Sequence, residues 1–270
     1  MVADVEHRRF AEAVAVEPLG DGRYRGDVTP EWFGPPGPNG GFVAALMLRA
    51  IRDEIADEER LPRSLTLHYL RPPAEGEAII EVTVERSGGS ASTCSARIVQ
   101  DGQAVTLGLC VLSYDYEPAM SWAPGPPEVP PPGEVESIPE SMKNTPMFRQ
   151  LDTRPVFGSR PFTGGEDAVA GGWVRAHGDD DMTSELVALY TDAWWPAPFS
   201  VMTTFAPAPT LELTIHFRAR PQPGSAMALV HFRADASIDG LFDEQGEVWD
   251  TNGRLLAQSS QLALLRPLKT

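Results

Sequence analysis

The sequence predicts an α+β fold built in tandem, two copies of one unit in which a curved antiparallel sheet wraps a central helix. Three observations predict it. Leu65-Thr-Leu-His-Tyr69 and Leu213-Thr-Ile-His-Phe217 match position by position at an offset of 148 residues. Each is followed by a proline-containing bend, Arg71-Pro72-Pro73 and Arg220-Pro221-Gln222-Pro223, and then by a glycine on the same offset, Gly76 and Gly224. Further on, Asp101-Gly102 and Asn252-Gly253 each separate two β-like runs, now at an offset of 151. These dipeptides suit a type I′ turn, in which both central residues take positive φ, so each copy is expected to end in a hairpin.

The helices follow from periodicity. Phe42 to Glu58 is apolar on almost every side over its first three turns, as a helix enclosed by a sheet must be, and Asn39 is placed to cap it. The second copy has a shorter counterpart, Ser184 to Trp195, with Leu186, Leu189, Tyr190 and Ala193 on one face and Pro196 to end it. Between the copies, residues 117–146 hold nine of the chain's 26 prolines and few core-sized side chains. The division is therefore an N-terminal unit over 1–116, an extended proline-rich linker over 117–146 and a C-terminal unit over 147–270.

Composition narrows the function. With 270 residues and 42% hydrophobic content, the chain can bury a core without staples, and Cys94 and Cys110 cannot make a disulfide framework. No leader-like segment opens the sequence, and Gly, Pro or a charge interrupts every apolar run well short of the roughly 20 residues a membrane helix needs. A cytoplasmic protein without membrane partners is expected. A formal charge of −16, with no Lys/Arg cluster, disfavours nucleic acid. An anionic small ligand remains compatible with a few arginines near one pocket.

The chain resembles the type II (TesB-like) acyl-CoA thioesterases, which carry a double hotdog. The residues that carry the resemblance are Asn39-Gly40-Gly41-Phe42 leading the first helix, Tyr69-Leu70-Arg71-Pro72 at a strand end, Tyr190-Thr191-Asp192, Pro209-Thr210, and Gln261 in the last strand. The resemblance implies hydrolysis of acyl-CoA to free acid and coenzyme A, in lipid metabolism, with no cofactor beyond the coenzyme A of the substrate. It implies that Asp192, Thr210 and Gln261 position the attacking water.

The residues themselves admit these roles alongside plainer ones. Asp192 lies about 60° round from Leu189 on a helical projection, where a carboxylate either takes a proton from water or sits solvated on a helix face. Gln261 shares the apolar parity of Leu255, Ala257, Ser259, Ala263 and Leu265, so its carboxamide needs a partner, ligand or water. Thr210 opens an alternating strand, and its hydroxyl can donate and accept; an ordinary strand-entry threonine is the alternative. At the repeat offsets Pro62 stands for Thr210 and Cys110 for Gln261, so the first copy lacks the polar pair and a single site is expected.

Gly40 and Gly41 present N–H groups at a helix start, for a thioester oxyanion or simply for a tight turn or close packing. Trp194, Trp195 and Phe199 are core or the end wall of an acyl tunnel, and Arg71, Arg218 and Arg220 are candidates for coenzyme A phosphates or for solvated surface. His68 and His216 occupy equivalent positions and read as structural. No metal-ligand spacing is present, so no metal is expected. An enoyl-CoA hydratase of the same fold would need an Asp and His across the substrate double bond, and no Asp-x4-His lies on a helix. A non-catalytic acyl-CoA-binding protein is the third reading. The two copies supply each other's interface, and a larger homo-oligomer stays open.

Overall fold

The computed structural model describes residues 9–35, 37–179 and 181–267; the opening residues, on which the reading of no leader segment rests, lie outside them. The first copy runs α1 (Phe10–Ala13), β1 (Glu17–Gly20), β2 (Arg23–Val28), the short pair β3 (Phe33–Gly34) and β4 (Gly37–Pro38), α2 (Gly40–Ile55), β5 (Leu61–Tyr69), β6 (Gly76–Ser87), β7 (Ala91–Gln100) and β8 (Gln103–Ser113). The second runs α3 (Pro146–Arg149), β9 (Leu151–Phe157), β10 (Val169–Ala176), α4 (Ser184–Tyr190), β11 (Thr210–Phe217), β12 (Ala228–Arg233), β13 (Ser237–Ile238), β14 (Leu241–Asp250) and β15 (Leu255–Leu264).

The long strands join one antiparallel sheet in the order β1-β2-β6-β7-β8-β5-β11-β15-β14-β12-β10-β9. This order is a palindrome about β5 and β11, the two strands that carry the matched pentapeptides. Their register places Thr66 opposite Thr214, His68 opposite Glu212 and Ser64 opposite His216. A local two-fold therefore passes between Thr66 and Thr214, whose hydroxyl oxygens are 3.0 Å apart. The central seam is thus a strand pairing between copies, and the predicted tandem hotdog is the architecture observed.

The sheet curls round α2, whose Phe42 to Leu48 run is wholly buried. Asn39 caps it as expected, its Oδ1 accepting from Phe42 N at 2.9 Å. The helix starts two residues before the predicted Phe42, because Gly40 and Gly41 already coil under this cap. It ends at Ile55 because Ala56 turns left-handed, with φ at 52°. Helix α4 departs further from expectation. It stops at Tyr190, where the Thr191 hydroxyl donates back to Ala188 O at 2.8 Å and Asp192 N reaches only to Leu189 O at 3.0 Å. Asp192 thus lies in the turn after the helix.

Of the two predicted hairpin turns, Asp101-Gly102 has both φ values positive, at 51° and 71°. The second differs. At Asn252-Gly253 only the glycine is left-handed, and the Asp250 carboxylate accepts from both Asn252 N and Arg254 N at 2.9 Å, closing the bend through a side chain. The proline-rich segment is extended apart from single helical turns at Pro132–Glu134 and Glu140–Met142, and it does more than connect. Pro130 O accepts from Trp173 Nε1 at 2.9 Å and Pro132 O from Arg154 Nη1 at 2.5 Å, while Val129 and Val135 pack with Trp173, Leu229, Trp249 and Leu255. It therefore covers part of the second copy's sheet.

Candidate active site

Helices α2 and α4 pack against each other, and the start of α2 meets the turn after α4. Gly41 permits this approach: a Cβ there would stand 2.5 Å from Leu189 O and 3.0 Å from Ala188 O. The contact delivers Asp192, from the second copy, to the first copy's helix start. Its Oδ2 accepts from Gly41 N at 3.1 Å and from Asn39 Nδ2 at 2.9 Å, and Asn39 Nδ2 also lies 2.6 Å from Asp192 O. Burial pushes the carboxyl up to about 6, against the Gly41 and Gly40 N–H groups, the Gln261 amide and Asn39, which favour the charged form. Asp192 is half-buried and lines two cavities.

Beside it runs a short polar chain on an apolar background. Thr210 opens β11 and its hydroxyl donates to Gln261 Oε1 at 2.9 Å. Gln261 Nε2 donates to Glu244 Oε1 at 2.6 Å, and Glu244 Oε2 accepts from Ala197 N at 2.6 Å. Gln261 is 6% exposed and Glu244 4%, so both depend on these partners. Burial pushes the Glu244 carboxyl up to about 7; the Ala197 N–H and Gln261 pull it down, and the charge of Asp192 raises it.

Glu244 was not among the predicted residues. It was legible by parity: Phe242, Glu244, Gly246 and Val248 share the inward face of β14, and an acid in such a row calls for an explanation. The copy comparison also points to it. Leu213 faces Gln261 as Leu65 faces Cys110, and Glu244 faces Gln261 as Cys94 faces Cys110. Both cysteines of the chain therefore occupy the positions of the acid and the amide. They are buried, and burial pushes the Cys94 thiol up to about 11 and Cys110 higher still. The pairing also sets Pro62 opposite Leu112 as Thr210 is set opposite Ala263, which confirms the equivalences read from the repeat.

Two cavities meet at these residues. The smaller, about 30 Å³ and large enough for a water molecule, is lined by Asp192, Thr210, Glu244 and Gln261 among apolar walls. The larger, about 350 Å³, is mainly apolar and is lined by Trp194, Trp195 and Phe199, with Gly40 and Arg71 also on its wall. Asp192, Trp194, Pro196, Ala208 and Thr210 line both. Among the described residues no histidine lines either, which leaves a hydratase without its second group; His68 and His216 are exposed.

The Gly41 N–H donates to the Asp192 carboxylate, and the glycine stands at the close helix contact that the packing reading expects. A Cβ on Gly40 would lie 2.9 Å from Asp192 Oδ2 and 3.1 Å from the Tyr69 hydroxyl, which itself donates to Gly40 O at 2.7 Å. Arg218 and Arg220 line neither cavity. They follow the far end of β11, roughly 25 Å or more from Thr210 at the strand rise, and pair with Gln258 and Glu59. Arg71 is on the wall because β5 and β11 are antiparallel, which sends equivalent bends to opposite ends of the seam.

Family models match both copies: one for an acyl-CoA thioesterase N-terminal domain over residues 29–113, and one for an acyl-CoA thioesterase C-terminal domain over residues 124–265. A hotdog-fold protein of unknown function from Alicyclobacillus acidocaldarius is similar at 28% identity and a TM-score of 0.87, covering 96% of this chain and 98% of its own. A provisionally assigned thioesterase II from Thermobifida fusca is similar at 26% identity and 0.83, covering 97% and 99%. The acyl-CoA thioesterase II of Mycobacterium marinum shares the fold at 20% identity and 0.77, covering 96% and 98%. No curated protein matches. Among the described residues no helix is long and apolar enough to cross a membrane.

Proposed function

Because this chain belongs to the acyl-CoA thioesterase family, we propose that its hydrolysis of acyl-CoA thioesters runs through a single water held by Asp192, Thr210 and Gln261. The observation that carries this reading is the Thr210 to Gln261 hydrogen bond on the wall of a water-sized cavity that Asp192 also lines. The acyl chain occupies the larger apolar cavity, and the thioester carbonyl sits at the neck between the two. Arg71 at its wall supplies positive charge for the phosphates of coenzyme A.

Asp192 takes a proton from the water as its oxygen bonds to the carbonyl carbon. A carboxylate raised to about 6 is ionised at neutral pH yet more basic than a free one, which suits this step. The remaining Gln261 N–H steadies the water and the oxygen on which charge develops. Collapse of the tetrahedral intermediate breaks the C–S bond. The thiolate leaves and receives the proton held by Asp192, giving free acid and coenzyme A.

The test is free-thiol release from acyl-CoAs of short, medium, branched and aromatic chains, with Asp192→Ala and Gln261→Ala as comparisons. Turnover that falls on the order of a hundredfold or more in both variants supports the reading. Wild-type turnover in either one refutes it.

A further inference from the structure

We propose that Glu244 is a positioning residue for this reaction, holding the Gln261 carboxamide in the orientation that leaves an N–H for the reacting water. The inference rests on the water-attack reading above and adds a residue to it.

A carboxamide can turn end for end at little cost unless its partners distinguish oxygen from nitrogen. Thr210 does not distinguish them, since a hydroxyl donates to one end as readily as it accepts from the other. Glu244 does. Once ionised, as it is above about 7, its carboxylate only accepts, so the atom 2.6 Å from its Oε1 is then the amide nitrogen and Gln261 Oε1 is turned to Thr210. The carboxylate cannot swing away, because its other oxygen is held by Ala197 N at 2.6 Å. Nε2 has two hydrogens: Glu244 takes one, and the other remains on the side of Asp192, whose charged form the amide favours. Reversed, the amide would set its lone pairs against one or both carboxylates.

The surroundings make this a costly arrangement to keep for packing alone. Apart from Asp192 and Glu244, the small cavity's walls are uncharged: Trp194, Pro196, Ala208, Thr210, Phe232, Phe242, Gln261 and Ala263. Two acids facing one cavity without a cation destabilise the fold. The first copy shows the same strands closing without them, with Cys94 and Cys110 opposite each other where Glu244 and Gln261 stand. The acid therefore accompanies the amide, and both occur in the copy that contributes Asp192.

Glu244→Gln keeps the volume and gives the site a second carboxamide, which cannot accept from both Ala197 N and Gln261 Nε2 through like oxygens. In acyl-CoA hydrolysis we expect kcat to fall about thirtyfold with KM within about threefold of wild type, since the acyl cavity is untouched. In a Gln261→Ala background the same substitution should cost less than about twofold, because it acts through the amide. A folded Glu244→Gln enzyme with wild-type kcat overturns the proposal, as does a full multiplicative loss on top of Gln261→Ala. If Glu244→Gln unfolds below the assay temperature, Glu244→Met, of similar volume and without an acceptor, is read by the same criteria. Wild-type turnover in Gln261→Ala would instead sink the water-attack reading itself.

Discussion

The Asp192 carboxylate of the second copy accepts the Gly41 N–H of the first at 3.1 Å, so the proposed acid-base group is held by the copy that does not supply it. A helix start favours negative charge, through its free N–H groups and dipole. Burial opposes charge and wins, leaving the group near 6. Thr210, Gln261 and Glu244 come from the second copy, and Asn39, Gly40 and Gly41 from the first. One site is assembled from both, and the two-fold related positions are occupied by Pro62, Cys94 and Cys110.

The pH dependence follows from the raised carboxyl. The reactive form is ionised, so kcat/KM should rise with pH through about 6 and reach its plateau above about 7, where Glu244 too is ionised, and Asp192→Asn should abolish the step near 6 along with most of the activity. Stability moves the other way. The folded state binds the Asp192 proton more tightly than the unfolded chain, whose value is near the ordinary 3.8, so between about 4 and about 6 the wild type loses stability as pH rises. Relative to Asp192→Asn, that loss should be on the order of 2 kcal/mol. Urea unfolding of both proteins at pH 4 and pH 7.5 measures it; a difference between them that is independent of pH contradicts the buried carboxyl.

The two glycines at the start of α2 should separate stability from activity. Gly41→Ala drives a methyl into the Leu189 and Ala188 carbonyls, which are backbone and yield little, and should cost about 1–3 kcal/mol of stability. Gly40→Ala meets the ends of the Asp192 and Tyr69 side chains, which can move. It should unfold near the wild-type temperature yet lose at least about tenfold in kcat as the carboxylate is displaced. Thermal melts and turnover on the same preparations distinguish these outcomes from two equivalent lesions.

The arginines separate by position. Arg71→Ala should raise KM for acyl-CoA by about three- to tenfold, more at low ionic strength, whereas Arg218→Ala and Arg220→Ala should leave it unchanged. A KM that responds equally to all three would place the phosphates elsewhere on the surface.

Much of this was legible before folding. The matched pentapeptides at Leu65 and Leu213 mark the central strands, and the apolar run after Asn39 marks the wrapped helix, because periodicity and offset are local properties that folding preserves. Gln261 was legible as a polar side chain in an apolar row, and the same test applied to β14 would have found Glu244. The end of α4 was not legible: apolar spacing continues to Ala193, but the Thr191 hydroxyl and the packing of the following turn stop the helix at Tyr190. The separation of Arg71 from Arg218 and Arg220 was hidden too, since a repeat shows which positions correspond and not that an antiparallel seam sends them to opposite ends.

The sequence by itself determined the duplication, the helix and strand identities and the inequality of the copies, because each is carried by residue types at fixed spacing along one chain. Only the tertiary structure decided that Asn39 and Gly41 donate to Asp192 and that Gln261 donates to the buried Glu244. Those are contacts between groups more than 150 residues apart or on neighbouring strands, and their existence depends on how closely two helices approach and on the register in which β14 pairs with β15.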